Sequence, residues 1–244
     1  MKILTCCYIA AVLFFIGACA NIRAGKVTVQ SYGHFKKMMH MKKTKGVVNL
    51  RKAIPSVNGY AVGAIQQGLG EITVIDSKVW LDYGKDGLGN SSNNIPADEQ
   101  AVLLATSQVE NWQTIKVNNT FSKKNLFGFI FKKAKQNGLD VNKPFSFLLE
   151  GNFAKLMLHV INGQNPQFQG HGGKVTLFKQ IKEERNNQAA TVVGFYSAGN
   201  QGVYTHPGES WHLHAVIRDE NIVAHVDDIS TLKNVILKLP QINN

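Results

Sequence analysis

The chain has 244 residues, 44% of them hydrophobic, and 27 Lys and Arg against 16 Asp and Glu, for a formal charge of +11. That length suffices for a substantial core or two intimately joined subdomains. All three cysteines, Cys6, Cys7 and Cys19, fall in the first twenty residues, so the remainder has no disulfide framework. The positive charge reads first as solvated basic faces on an exported protein, with steering of anions or contact with anionic envelope surfaces as the alternative, and with no base-reading module it does not make a nucleic-acid binder.

Lys2 precedes an apolar run from Ile3 to Ala20, closed by Ala18-Cys19-Ala20. Residues 1–20 therefore read as an export leader rather than a membrane helix. Ile16-Gly17-Ala18-Cys19 also resembles a lipoprotein cleavage box, which leaves two products open: a soluble exported protein, or one anchored by a lipid on Cys19. The expected location is the periplasm, the envelope or the medium.

Val27 to Tyr32 alternates as a strand does, and Phe35 to Met41 suits a short helix. Gly59 to Gly70 is rich in turn signals. Glu71–Ile75 and Lys78–Leu81 flank Asp76-Ser77 and predict a hairpin. The polar loop from Gly84 to Asn94 lacks phosphate-loop and EF-hand patterns, so its glycines are assigned to turns. A short helix is expected within Pro96 to Thr106, and an amphipathic one over Lys123 to Asn137 with its lysines in water. Pro144 to Leu149 reads as a strand, broken at Glu150-Gly151-Asn152-Phe153 before Ala154 to Ile161. Val175 to Phe178 and Ala190 to Tyr196 are further strands, and no repeat or low-complexity linker divides residues 21–244, so a subdomain boundary is set only loosely near 120–140.

The densest chemistry lies in Trp211-His212-Leu213-His214-Ala215 and His225. Period two turns His212 and His214 to one side of a strand. With Asp219 and Glu220 at a hairpin tip, His214 falls opposite His225, and directly opposed side chains are close enough to share a ligand. Three imidazoles with one open position suit catalytic Zn2+ better than a closed structural site. The competing account makes His212-X-His214 ordinary strand surface and satisfies His225 with a backbone carbonyl. His206 and Glu209, on the approach to this strand, are candidates for substrate contact or simple turn residues. His171 is a loop histidine. Asp227 is placed to orient His225 as an outer acceptor.

The ordered segments Gly68-Leu-Gly-Glu71-Ile-Thr-Val-Ile-Asp76, Phe145-Ser-Phe-Leu-Leu-Glu-Gly151-Asn-Phe153, Val192-Val-Gly194-Phe195, His212-Leu-His214 and Ala224-His225-Val226-Asp227 resemble the alpha-acetolactate decarboxylase family. The resemblance spans most of the chain after the leader. It implies an α+β fold with mixed and antiparallel sheets in two closely associated subdomains, the C-terminal one barrel-like, and assembly as a dimer. It implies zinc on His212, His214 and His225, and a small anionic 2-hydroxy-3-keto acid decarboxylated to acetoin or a related hydroxyketone. It puts the family's acidic residue on Glu71, for proton transfer or substrate positioning.

Two positions depart from the family pattern. A family arginine falls on His159, which replaces a permanent bidentate cation by a smaller titratable group; His159 is then a packed strand residue, a substitute substrate contact, or the mark of a changed substrate. A family glutamate beyond the last zinc histidine has no counterpart among the nineteen residues after His225. The expected activity is therefore a zinc-dependent decarboxylase-like carbon–carbon lyase. The alternatives are a noncatalytic zinc-binding envelope protein and, third, a zinc hydrolase.

Overall fold

The computed structural model describes residues 28–85, 87–169 and 175–242. The proposed leader, Cys19 and His171 lie outside the described residues. Among the described residues, twelve strands form two sheets. The first runs β1 (Val29–Tyr32), β6 (Gln100–Gln108), β3 (Gly59–Ile65), β4 (Glu71–Ile75) and β5 (Lys78–Asp82), with β2 (Val48–Asn49) also on β6. The second runs β11 (Ile222–Thr231), β10 (Trp211–Ile217), β9 (Phe178–Tyr196), β8 (Phe145–Gln164), β12 (Val235–Pro240) and β7 (Trp112–Val117).

The expected barrel-like C-terminal part is not what forms. The second sheet follows an open path from β11 to an edge at β7. β11 makes an additional pairing to β8, because β8 and β9, at 20 and 19 residues, are long enough to take different partners along their length. The expected mixture of parallel and antiparallel pairs is also absent: each pairing between the described strands is antiparallel. The α+β class itself holds.

Strand alternation sorts side chains into three layers. Leu213, Ala215, Ile222, Ala224 and Val226 face a core shared with Leu126, Ile130 and Ala134 of α3 (Lys123–Gln136). The i, i+4, i+8 spacing of those helix residues makes one apolar stripe, and fully burying Leu126 and Ile130 contributes about 1.5–3 kcal/mol each. Ile72, Val74 and Leu81 face an outer core closed by Leu50 and Ala53 on α2 (Leu50–Ala53). Between the sheets, Val62, Ala64, Leu103 and Trp80 meet Leu148, Ile161, Val193, Val216 and Val223. The intervening residues of β4, β10 and β11 point into this middle layer, and they include Glu71, His212, His214 and His225.

Turn chemistry sets the registers. Asp76 and Ser77 have φ of 50° and 60°, the left-handed pair that a two-residue hairpin needs, and they pair Glu71 with Asp82. At the other hairpin a 3-10 turn over Arg218–Glu220 ends on Asn221, again left-handed at φ 53°. It pairs His214 with His225, as the spacing predicts. The short helix α1 (Phe35–Met41) packs Met38 against the inter-sheet core.

Candidate metal centre

Three adjacent strands bring a row of histidines together. His214 on β10 is the register partner of His225 on β11, which in turn is the partner of His159 on β8. His212 lies two residues before His214, on the same face. All four are buried. The ring centroids of His212, His214 and His225 are 5.0, 5.2 and 5.6 Å apart, and His159 lies 4.5 Å from His225.

Nε2 of His212 and Nε2 of His214 are 3.2 Å apart. Zinc–nitrogen bonds of 2.0–2.1 Å in a tetrahedron give an edge of roughly 3.3 Å, so this spacing fits two ligands of one ion. The other nitrogen of His214, Nδ1, lies 2.9 Å from Thr73 Oγ1. With Nδ1–H donated to that hydroxyl, the Nε2 lone pair is left free, as ligation requires. Burial first, then the neighbouring imidazoles, push His212 and His214 well below the usual histidine range and His225 to about 3. Neutral imidazole is the form that binds metal. Nδ1 of His212 is buried without a hydrogen-bond partner among the described residues.

Asp227 completes the outer side. The register of β11 against β8 slips between Val226 and Asp228, and this β-bulge re-aims the Asp227 side chain. Its Oδ1 lies 2.8 Å from His159 Nδ1 and 3.2 Å from His225 Nδ1. Although burial alone would raise the Asp227 pKa, the hydrogen bond from His159 and the close His225 imidazole hold the carboxyl well below the ordinary aspartate range. His159, His225 and Asp227 each place a ligand atom within 4.8 Å of the others and form a candidate metal-binding cluster in their own right. Among the described residues that cluster is the complete three-residue donor set, and His212 and His214 form a ligand-spaced pair beside it, His225 being the ring they share as a neighbour.

Glu71 enters from the first sheet. Its Oε2 is 3.6 Å from His214 Nε2, its Oε1 is 3.9 Å from His159 Nε2, and Oε1 accepts a hydrogen bond from the Ile161 N–H at 3.2 Å. Burial pushes its carboxyl up to about 7, against the opposing effects of His159 and that N–H. A carboxyl with such a pKa can both hold and release a proton near neutrality. Its strand partner Asp82 is fully buried and raised to about 6, again chiefly by burial. Asp82 Oδ1 accepts the Gly84 N–H at 2.8 Å, while Oδ2 has no partner among the described residues.

Of the remaining sequence candidates, His206 lines the same pocket as His159, His212 and His225, and Glu209 does not. His206 is exposed, with its ring 4.4 Å from Phe35 and 5.8 Å from His225. Glu209 is exposed, 3.9 Å from Lys123 Nζ. Sequence reasoning missed Thr73 and Asp82, yet both were within reach of it. Thr73 follows Glu71 by two and shares its face, and counting outward from Asp76-Ser77 puts Asp82 opposite Glu71.

A family model described as alpha-acetolactate decarboxylase matches residues 58–244. Among solved structures, acetolactate decarboxylase from Bacillus subtilis subspecies spizizenii is 16% identical, with 88% of this chain and 87% of that chain covered at a TM-score of 0.69. Alpha-acetolactate decarboxylase from Bacillus subtilis strain 168 is 15% identical over 88% and 86%, with a TM-score of 0.67. A Staphylococcus aureus protein of unknown function, described as similar to alpha-acetolactate decarboxylase, is 15% identical over 86% and 84%, with a TM-score of 0.64. At these identities the likeness is one of fold. No curated protein sequence matches the chain significantly.

Proposed function

The chain belongs to the alpha-acetolactate decarboxylase family, and on that premise we propose that it is a zinc-dependent carbon–carbon lyase. It removes the carboxylate of alpha-acetolactate, or of a related small 2-hydroxy-3-keto acid, as carbon dioxide and releases the hydroxyketone. The observation that carries this reading is the 3.2 Å separation of His212 Nε2 and His214 Nε2, with the Glu71 carboxyl 3.6 Å from the latter.

His212, His214 and His225 would hold the ion through Nε2, with Thr73 and Asp227 orienting the outer nitrogens of His214 and His225. Bound there, zinc supplies Lewis-acid polarisation of the substrate carbonyl and stabilises charge that develops as carbon dioxide leaves. Glu71 holds a proton on its buried carboxyl and delivers it to the carbon that loses carbon dioxide. His159, fixed through Nδ1 by Asp227, turns Nε2 toward Glu71 and the pocket, where it stands in the family arginine's place against the substrate carboxylate. Export through the Ile3–Ala20 run, with or without a lipid on Cys19, belongs to the same reading.

The test is turnover. Zinc-loaded protein is given racemic alpha-acetolactate while carbon dioxide and acetoin are followed, with His214→Ala as the control. Acetoin above the control is expected, and no excess at any of several pH values would sink the acetolactate assignment. The noncatalytic alternative draws on one observation: no lysine or arginine is among the described residues that line the pocket. Retained zinc with no turnover would favour it.

A further inference from the structure

All sixteen Asp and Glu of the chain lie at or beyond Glu71, so the charges before it are positive throughout. Among them Lys36, Lys37, Lys42, Lys43 and Lys45 fall on α1 and the segment that follows it, and all five are exposed. None of the five is ion-paired among the described residues. Met41 and Val47, in the same stretch, are 57% and 55% exposed, two of the four large hydrophobic side chains left open to solvent among the described residues. Cations without acidic partners are thus interleaved with apolar side chains that have not been buried.

The stretch is fastened at both ends and in its middle. Phe35 N–H donates to Val203 O at 2.6 Å, Lys36 N–H to Gly202 O at 3.1 Å, and Val47 N–H to Ala101 O at 2.8 Å. Between them the buried Thr44 accepts the Gln67 N–H on its carbonyl at 2.6 Å and Gln164 Nε2 on its hydroxyl at 3.0 Å. With Met38 and Thr44 held inward, the lysines to either side are turned outward. Lys42 closes α1 at φ 49°, a left-handed position that glycine fills most easily. Its long cation is therefore kept there at a conformational cost, with Nζ 5.7 Å from the centre of the Phe168 ring.

The lysines call for an anion, and the open apolar side chains call for a surface that accepts apolar groups as well. A soluble polyanion meets only the first need. The head-group region of an anionic bilayer meets both, because phosphates receive the ammonium groups while the acyl boundary receives the apolar ones. At seven residues α1 is too short to cross a bilayer, so it would engage the surface. Fifteen residues separate Ala20, the end of the apolar run, from Lys36, which keeps the stretch within about 60 Å of any membrane that run enters. We propose that residues 36–47 form a docking face for the surface of a bilayer rich in anionic phospholipid. The inference makes no use of the decarboxylase reading and is tested apart from it.

The full chain is mixed with vesicles of phosphatidylcholine alone, or of phosphatidylcholine and phosphatidylglycerol in equal parts, and its lysines are briefly acetylated and mapped by mass spectrometry. Acetylation of the five lysines is expected to slow severalfold with the anionic vesicles only, while Lys116 and Lys233, on the other sheet, keep their rates. The apolar run is common to both mixtures, so the ratio of partition between the two vesicles reads the basic face. Lys42→Glu with Lys43→Glu and Lys45→Glu is expected to lower that ratio by about a hundredfold, taking about fivefold for each lysine near such a surface. The three corresponding arginine substitutions are expected to preserve it. Met41→Ser with Val47→Ser is expected to weaken vesicle binding severalfold and leave binding to heparin unchanged. Equal acetylation with both vesicles, or a ratio unmoved by the glutamates, would overturn the docking face. Protection of the five lysines by heparin but not by the anionic vesicles would also overturn it, in favour of a soluble polyanion.

Discussion

Oδ1 of Asp227 lies 2.8 Å from Nδ1 of His159, and the same oxygen stands 3.2 Å from Nδ1 of His225. One carboxylate oxygen thus holds His159 by a hydrogen bond and stands against His225, and both imidazoles line the pocket. Removing its charge while keeping its shape is expected to weaken zinc binding tenfold to a hundredfold, the usual effect of losing an outer partner of a metal-bound histidine. Competition of Asp227→Asn against a chromophoric chelator measures this, and unchanged affinity would remove Asp227 from the site's support.

Two assignments of the ion predict opposite patterns of metal loss. If His212, His214 and His225 hold the ion, His212→Ala and His214→Ala lose zinc on dialysis, while His159→Ala retains it. Elemental analysis of the dialysed variants decides the point. Zinc lost from His159→Ala but retained by the other two would assign the ion to His159, His225 and Asp227.

Glu71→Gln keeps the size of the side chain and its acceptor for the Ile161 N–H but cannot cycle a proton. Its kcat is expected to fall by about 10²–10⁴, the range typical of general acid–base groups, with zinc content unchanged. Loss of zinc together with activity would instead make Glu71 part of the metal's binding shell.

Asp82 gives a pH-dependent prediction for the metal-free protein. Its carboxyl ionises near the ordinary aspartate value of 3.8 when the chain is unfolded and at about 6 when folded, because burial disfavours the charge. Between those values the folded state binds more protons, so this group's contribution to stability falls as pH rises. Asp82→Asn removes that loss. Denaturation midpoints of variant and wild type should therefore diverge in the variant's favour from about pH 4 to 6 and then run parallel. An offset independent of pH would show that Asp82 keeps the same protonation state on folding.

Where a local signal fixes the geometry, the sequence was readable. The apolar spacing of α3 and the Asp76-Ser77 hairpin lie where their patterns put them. The tip at Arg218–Glu220 brings His214 opposite His225 for the same reason. Long-range pairing was less readable. Glu150–Phe153 looks like a break, yet β8 runs through it, with Gly151 taking a φ of 142° that side chains rarely adopt. Pro96–Thr106 looks helical, but Gln100–Gln108 becomes a central strand buried on both faces, where tertiary packing outweighs weak local preference. The Gly59–Gly70 stretch hides strand β3 for a related reason: Gly63 lies where an added Cβ would come within 2.2 Å of Leu103 O, so its glycine serves close packing between strands. The row His214, His225, His159 could not be read in full because its last member depends on the pairing of β11 with β8, strands with no local connection.

The slip in register at Asp227 makes the centre depend on residue count as well as residue type. In a regular strand His225 and Asp227 would share a face by alternation alone, but the extra residue lets Asp227 turn toward His159 and shifts the phase of the strand beyond it. Deleting one residue at this point would leave the composition nearly unchanged and the hydrophobic pattern of the rest of β11 reversed. A one-codon deletion is therefore a harsher change here than most substitutions, and lineages that keep this centre should vary in the identity of nearby residues far sooner than in their number.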